Sequence, residues 1–166
     1  QAGFVPVGGR REIDFDRSPQ VGLFYDWASG SDIRNNGFNH MFPLAHKYLG
    51  FMDLYGRRNI QDANFLVTAT PNQKVELLLW FHVFHLQTTS DVPYNVVMGP
   101  SAAVPGGSPY LGSELDLLAT FRLYPRSQLM LGYSRFWAGE FYSTNPSPGL
   151  FREDANFFYA QWSLDF

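Results

Sequence analysis

Charged side chains recur on one face of the segment around residue 116. Glu114, Asp116 and Arg122 are separated by even numbers of residues, so in an extended strand they point to the same side of the sheet. Two carboxylates and a guanidinium on one face can form a ladder of ion pairs with one another. They can equally contact a charged solute that moves along that face. The spacing alone leaves both interpretations open.

The four histidines do not match a recognised metal-ligand pattern. His82 and His85 are three residues apart, so on a strand their side chains point to opposite faces and cannot hold one ion. His40 and His46 share a long connection with Asp53, where ordinary hydrogen bonds are favoured over a metal site. The sequence therefore predicts neither a metal nor any other cofactor.

The residues that could support catalysis form no complete constellation. The segment GYSRF at 132–136 lacks the second glycine of a nucleophile elbow and lies within a predicted strand. Glu76 and His82 share one strand face and could form an acid–base pair, but no third group is placed to orient them. The chain has no cysteine, which excludes a thiolate nucleophile. We therefore expect a protein that is not an enzyme.

The elements that carry these residues are strands with alternating polarity. The last ten residues, FFYAQWSLDF, place Phe158, Trp162 and Leu164 on one face and Tyr159 and Gln161 on the other. Comparable segments are predicted at 11–16, 21–28, 63–69, 75–86 and 115–123 and from residue 129 onward, and residues 1–9 are a further candidate strand. The fold class predicted from this pattern is all-β.

The connections between these strands alternate in length. Short turns are predicted at 17–20, 71–73 and 124–127, and long loops at about 29–60, 88–112 and 138–154. No run approaches the roughly 18 apolar residues of a spanning helix, whereas 17% of the residues are aromatic and only 16% are charged. These features are typical of an antiparallel transmembrane β-barrel with long external loops. Residues 1–166 are thus interpreted as a single barrel domain or segment.

The charge distribution argues against a nucleic-acid partner. The formal net charge is −3, and no basic tract is interleaved with aromatic residues. We expect the partners to be membrane lipid on the apolar face and a polar solute on the polar face.

Several blocks of the sequence resemble a known family in their order and spacing. They are FYDWASGSD at 24–32, FNHMFPLAHKYLGFMDLYGRRNIQD at 38–62, GSELDLLATFRLYPRSQLMLGYSRFWAGEFY at 112–142 and ANFFYAQWSLDF at 155–166. These blocks are similar to the C-terminal part of the alginate-export porins. The resemblance implies a bacterial outer-membrane barrel whose lumen passes an anionic polysaccharide by passive export or diffusion.

The barrel interpretation assigns pore-lining roles to charged residues. The candidates are Arg122, Arg57, Arg58, Glu114, Asp116 and His82. Inward-facing arginines would lower the barrier to a solute that carries carboxylates.

The predicted strands are fewer than those of the family's barrels. We therefore expect the C-terminal portion of a larger barrel, completed by strands from the same or other chains. The alternative is a small closed barrel of about eight strands, filled by its own side chains, with a structural or surface-interaction role.

Overall fold

The structure is a computed structural model that describes residues 2–6, 19–31, 36–42, 48–150 and 152–165. Its strands are β1 (Ala2–Pro6), β2 (Gln20–Ala28), β3 (Ile60–Asn72), β4 (Val75–His85), β5 (Tyr110–Tyr124), β6 (Ser127–Ala138) and β7 (Ala155–Leu164), and the helix α1 (Glu140–Thr144) precedes β7. The strand predicted at 11–16 lies outside the described residues. None of the helices in the described ranges is long and apolar enough to cross a membrane.

The seven strands form one sheet in which each strand pairs antiparallel with its neighbours in sequence. The all-β prediction is therefore confirmed, and the sheet is consistent with part of a barrel wall. β1 pairs with β2 from Ala2 opposite Ala28 to Pro6 opposite Phe24. Within the described residues, β1 and β7 each have one neighbouring strand and form the two edges of the sheet.

One face of the sheet, called the outer face here, is apolar. Leu117 of β5 is 40% exposed, and Phe158 of β7 is 69% exposed. A shallow groove on this face spans the five strands β3 to β7. Its apolar lining includes Val67, Leu79, Leu117, Leu131 and Phe158. Soluble monomers rarely expose a contiguous apolar surface that spans five strands. The outer face therefore has the character of a surface that contacts lipid.

The opposite, inner face carries polar side chains that are fully buried. The strand register places His82 opposite Glu114 and Asp116 opposite Ser134. All four side chains, together with Asp62 of β3, have no measurable exposure. The alternation in the sequence thus assigns these residues to the correct face.

One tight turn lies later in the chain than the sequence predicts. β3 continues to Asn72, so the turn before β4 is formed by residues 73–74 instead of 71–73. The pairing register shifts between Ala69 and Asn72. Pro71 falls within this irregularity, where a strand can accommodate a residue that has no N–H group.

The apolar core lies under the long connections at one end of the sheet. Its centre contains Tyr55, whose ring centroid is 4.9 Å from that of Phe84 and 6.2 Å from that of Phe136. The helix α1, which the alternating pattern does not predict, contributes the buried Phe141. The described parts of the connections 29–59, 86–109 and 139–154 share this core. We refer to these three connections together as the loop cap.

The lipid-facing assignment can be tested at the middle of β5. We expect Leu117→Arg to destabilise the folded protein by about 2–4 kcal/mol, because it places a charge in the hydrocarbon region. Gln161→Arg, on the inner face of β7, is the control and should change stability by less than about 1 kcal/mol. Urea unfolding of the native polypeptide in lipid vesicles measures both values. Equal losses in the two variants would contradict the assignment.

Candidate functional site

A cluster of carboxylates surrounds His82 on the inner face. The Nδ1 atom of His82 lies 2.8 Å from Oδ2 of Asp62, and its Nε2 atom lies 3.9 Å from Oδ2 of Asp116. The Ser134 hydroxyl donates a hydrogen bond to Asp116. Three of the predicted pore-lining residues, His82, Glu114 and Asp116, are thus brought together. Hydrogen bonds within the protein satisfy part of this cluster, which is shielded from solvent.

The network continues across the sheet to an indole ring. Asn64 donates from Nδ2 to Oδ2 of Asp62 at 2.7 Å, and Trp80 donates from Nε1 to Oδ1 of Asn64 at 2.8 Å. The Trp80 ring also lies 4.5 Å from the His82 ring, centroid to centroid. These contacts fix the orientation of Trp80 on the inner face.

A segment of the first long connection covers the carboxylates. We call residues 48–58 the inner loop. Met52 donates its backbone N–H to Oε1 of Glu114 at 2.9 Å, and Phe51 donates to Oδ2 of Asp116 at 3.3 Å. Gly50 has a φ of +85°, and a Cβ atom at this position would overlap the Glu114 carboxylate. Glu114 and Asp116 therefore anchor the inner loop against the wall.

The two arginines at the end of the inner loop are also held in place. Arg57 forms an ion pair with Asp26, and its guanidinium carbon lies 4.6 Å from the centre of the Tyr48 ring. Arg58 is buried, and its guanidinium carbon lies 4.4 Å from the centre of the Tyr94 ring. Both guanidinium groups thus have ionic or cation–π partners within the loop cap.

Hydrogen bonds join the three connections of the loop cap. Asn145 donates from Nδ2 to the Val104 carbonyl at 2.8 Å and accepts from the Val104 N–H at 3.2 Å. The hydroxyl oxygens of Tyr55 and Tyr142 are 2.8 Å apart. Burial, reinforced by Tyr142, raises the pKa of Tyr55 well above its ordinary value. This hydroxyl pair stays neutral at physiological pH. The described parts of the loop cap are joined by these contacts.

Arg122 lies apart from the carboxylate cluster, near the short turns. The distance along β5 from Asp116 is about 20 Å at the rise of an antiparallel strand. Its Nη2 atom is 3.6 Å from Oε2 of Glu76, and the two side chains are 58% and 49% exposed. Arg122 borders a recess of about 510 Å³ that is also lined by Lys74 and Arg126. Three basic groups therefore lie at this mouth of the sheet, which we call the turn mouth.

Within the described ranges, the other sequence candidates do not assemble into a metal or catalytic site. The described residues include no group of three or more histidines and carboxylates placed to hold a metal ion. Glu76 pairs with Arg122, whereas His82 pairs with Asp62, so the acid–base pair considered from the sequence is not formed. His46 lies outside the described residues.

Several functional contacts could not be found from the sequence. Asp26, Asp62 and Asn64 alternate correctly on the polar face, but their partners depend on which strands are neighbours. Oε2 of Glu114 and Nε2 of His82 have no hydrogen-bond partner among the described atoms. Buried polar atoms of this kind commonly bind ordered water.

Comparison with known protein families adds independent information. A family model described as "Alginate export" matches residues 7–150. Comparison with curated proteins gives no match.

The fit of the inner loop against Glu114 predicts a specific effect at Gly50. Gly50→Ala should release the loop, because the new Cβ atom would overlap the carboxylate in addition to straining the backbone. We expect amide hydrogen exchange at Phe51 and Met52 to accelerate at least about tenfold. Gly106→Ala is the control, since its φ is +113° but an added Cβ meets no atom within 4 Å. Protection at 51–52 that is equal in both variants would show that the loop does not depend on this fit.

Proposed function

Because the match covers most of the chain, the protein belongs to the alginate-export family of outer-membrane porins, and on this premise we propose that it forms part of a channel wall. The channel passively passes a polar, anionic, polysaccharide-like solute across the bacterial outer membrane. The observation that carries this proposal is the two-faced sheet, apolar outside and polar inside. A wall between hydrocarbon and an aqueous lumen requires these two faces.

The direction of the edge strands supports completion by further strands. β1 and β7 are the first and last of seven consecutive antiparallel strands, so they run in the same direction. Direct pairing of β7 with β1 would be parallel, whereas bacterial outer-membrane barrels close with antiparallel pairs. Unpaired edges cannot remain in hydrocarbon. We infer that an odd number of additional strands separates the two edges: one strand would complete a small barrel of eight, and three or more would complete a larger barrel.

The arrangement of charges supports an anionic solute. The carboxylates of Glu114 and Asp116 are occupied by the inner loop, whereas Arg122 is exposed at the turn mouth with Lys74 and Arg126 beside it. Short turns of such barrels face the periplasm. The solute would therefore meet basic groups as it enters from the periplasm, and the loop cap would lie on the external side.

Arg57 and Arg58 have a different role in this proposal. Their contacts with Asp26 and Tyr94 hold the end of the inner loop, so they shape the lumen more than they attract the solute. Among the predicted pore-lining arginines, Arg122 is the one exposed to a passing anion.

Removal of a positive or a negative charge at the turn mouth should shift the ion preference of the channel in opposite directions. In planar bilayers, Arg122→Gln should lower the anion-to-cation permeability ratio roughly twofold in dilute salt, because it removes an exposed positive charge. Glu76→Gln should raise the ratio, since it removes the paired negative charge. Reversal potentials across a salt gradient measure both changes. Identical anion-to-cation permeability ratios in the two variants would show that this ion pair does not lie in the conduction path.

The channel itself is tested by conductance together with intact mass. The native polypeptide should show ohmic single-channel steps and a mass well above the 18.9 kDa of residues 1–166. A barrel filled by its own side chains conducts almost nothing. A silent polypeptide of 18.9 kDa would support the small closed barrel instead.

A further inference from the structure

Four aromatic side chains form a connected group on the inner side of the sheet, where the other residues are mostly polar. Trp80 of β4 and Phe157 and Tyr159 of β7 occupy inner-face positions, and Phe51 belongs to the inner loop. We call this group the aromatic ledge. The Phe51 ring centroid lies 6.4 Å from that of Trp80 and 5.9 Å from that of Tyr159, and the Tyr159 centroid lies 5.3 Å from that of Phe157.

The ring of Tyr159 is seated on a glycine. Gly132 of β6 is the direct register partner of Tyr159, and a Cβ atom at position 132 would overlap the tyrosine ring. Glycine within a strand commonly marks a close approach of another group. The absence of a side chain at 132 lets the ring lie flat against the wall. Phe51 is nearly parallel to this ring, with 9° between the ring planes.

Two residues of the aromatic ledge, Trp80 and Phe157, lie in one row that runs across the strands. Register pairs Trp80 with Asp116, Asp116 with Ser134, and Ser134 with Phe157, so these four residues form one transverse row. The inner loop is anchored to the same row through Asp116. The aromatic ledge and the inner loop therefore meet at Asp116.

The rings of the aromatic ledge remain accessible from the inner side. Phe157 is 40% exposed, and Phe51, Trp80 and Tyr159 are half-buried. Exposed ring surface on a polar face is unfavourable in water and is available to contact an apolar surface of a solute. A pyranose ring with equatorial hydroxyl groups has such a surface, because axial C–H groups lie on each face while the hydroxyl groups point outward around the rim.

We propose that the aromatic ledge is a stacking site for the sugar rings of the solute, an inference that rests on the proposed channel function. C–H groups on the sugar face would pack against the negative faces of the aromatic rings. Hydroxyl groups at the rim would stay hydrated or bind the neighbouring polar side chains. Small inorganic anions lack this face, so the ledge distinguishes carbohydrate from salt without using charge.

The test compares block of single-channel current by two sugars of equal length, a neutral gluco-oligosaccharide and an oligouronate. In the native polypeptide, Phe157→Leu should raise the half-blocking concentration of both sugars roughly threefold to tenfold. Tyr159→Leu should also raise it, because the Tyr159 ring supports Phe51 and Phe157. Block is expressed as a fraction of the open-channel potassium chloride current of the same variant, so a change in conductance does not enter the comparison. Phe158→Leu is the matched control, since it removes a ring from the outer face of the same strand, and block should not change.

Further variants keep the result interpretable if Tyr159→Leu folds poorly. Tyr159→Phe retains the ring and should block like the parent, and Phe157→Leu removes an exposed ring. Heat-modifiable migration in gels verifies folding of each variant. Unchanged block by both sugars in a conducting Phe157→Leu variant would overturn the proposed stacking site but not the proposed channel. Weaker block by the oligouronate only would also overturn the stacking site, because stacking does not depend on charge. A parent polypeptide that conducts no ions would overturn the channel together with the ledge.

Discussion

Backbone hydrogen bonding in hydrocarbon is the constraint on which this structure depends. A strand in lipid finds no water for its N–H and C=O groups, so each strand must pair with a neighbour. The chain meets this demand through six consecutive antiparallel pairings from β1 to β7. Extended strands then send alternate side chains to opposite faces. The apolar outer face and the buried polar inner face both follow from that pairing.

The inner face shows how buried charge can organise a loop. Carboxylates that leave water are costly unless hydrogen bonds and charges compensate for the lost hydration. Here the amides of the inner loop donate to Glu114 and Asp116, and Arg57 pairs with Asp26. The same contacts that satisfy the carboxylates also hold the loop against the wall. The exposed positive groups are left at the turn mouth, away from this network.

Local periodicity predicts the faces of the sheet well, because side-chain direction in a strand depends only on neighbouring residues. It places Glu114, Asp116 and His82 correctly on one inner face. It does not predict the contact of Phe51 with Asp116, which joins residues 65 positions apart, because such contacts depend on loop closure. The predicted position of the turn after β3 is wrong, because an irregular register extends that strand beyond Pro71. The helix α1 has only five residues, too few to show a helical period.

The close seat of Tyr159 on Gly132 couples two positions that lie on different strands. A large side chain at one of these positions requires glycine at the other. Substitutions at the two positions should therefore occur together in related proteins. A double replacement could change the inner surface at this point while leaving the backbone pairing of β6 with β7 unchanged.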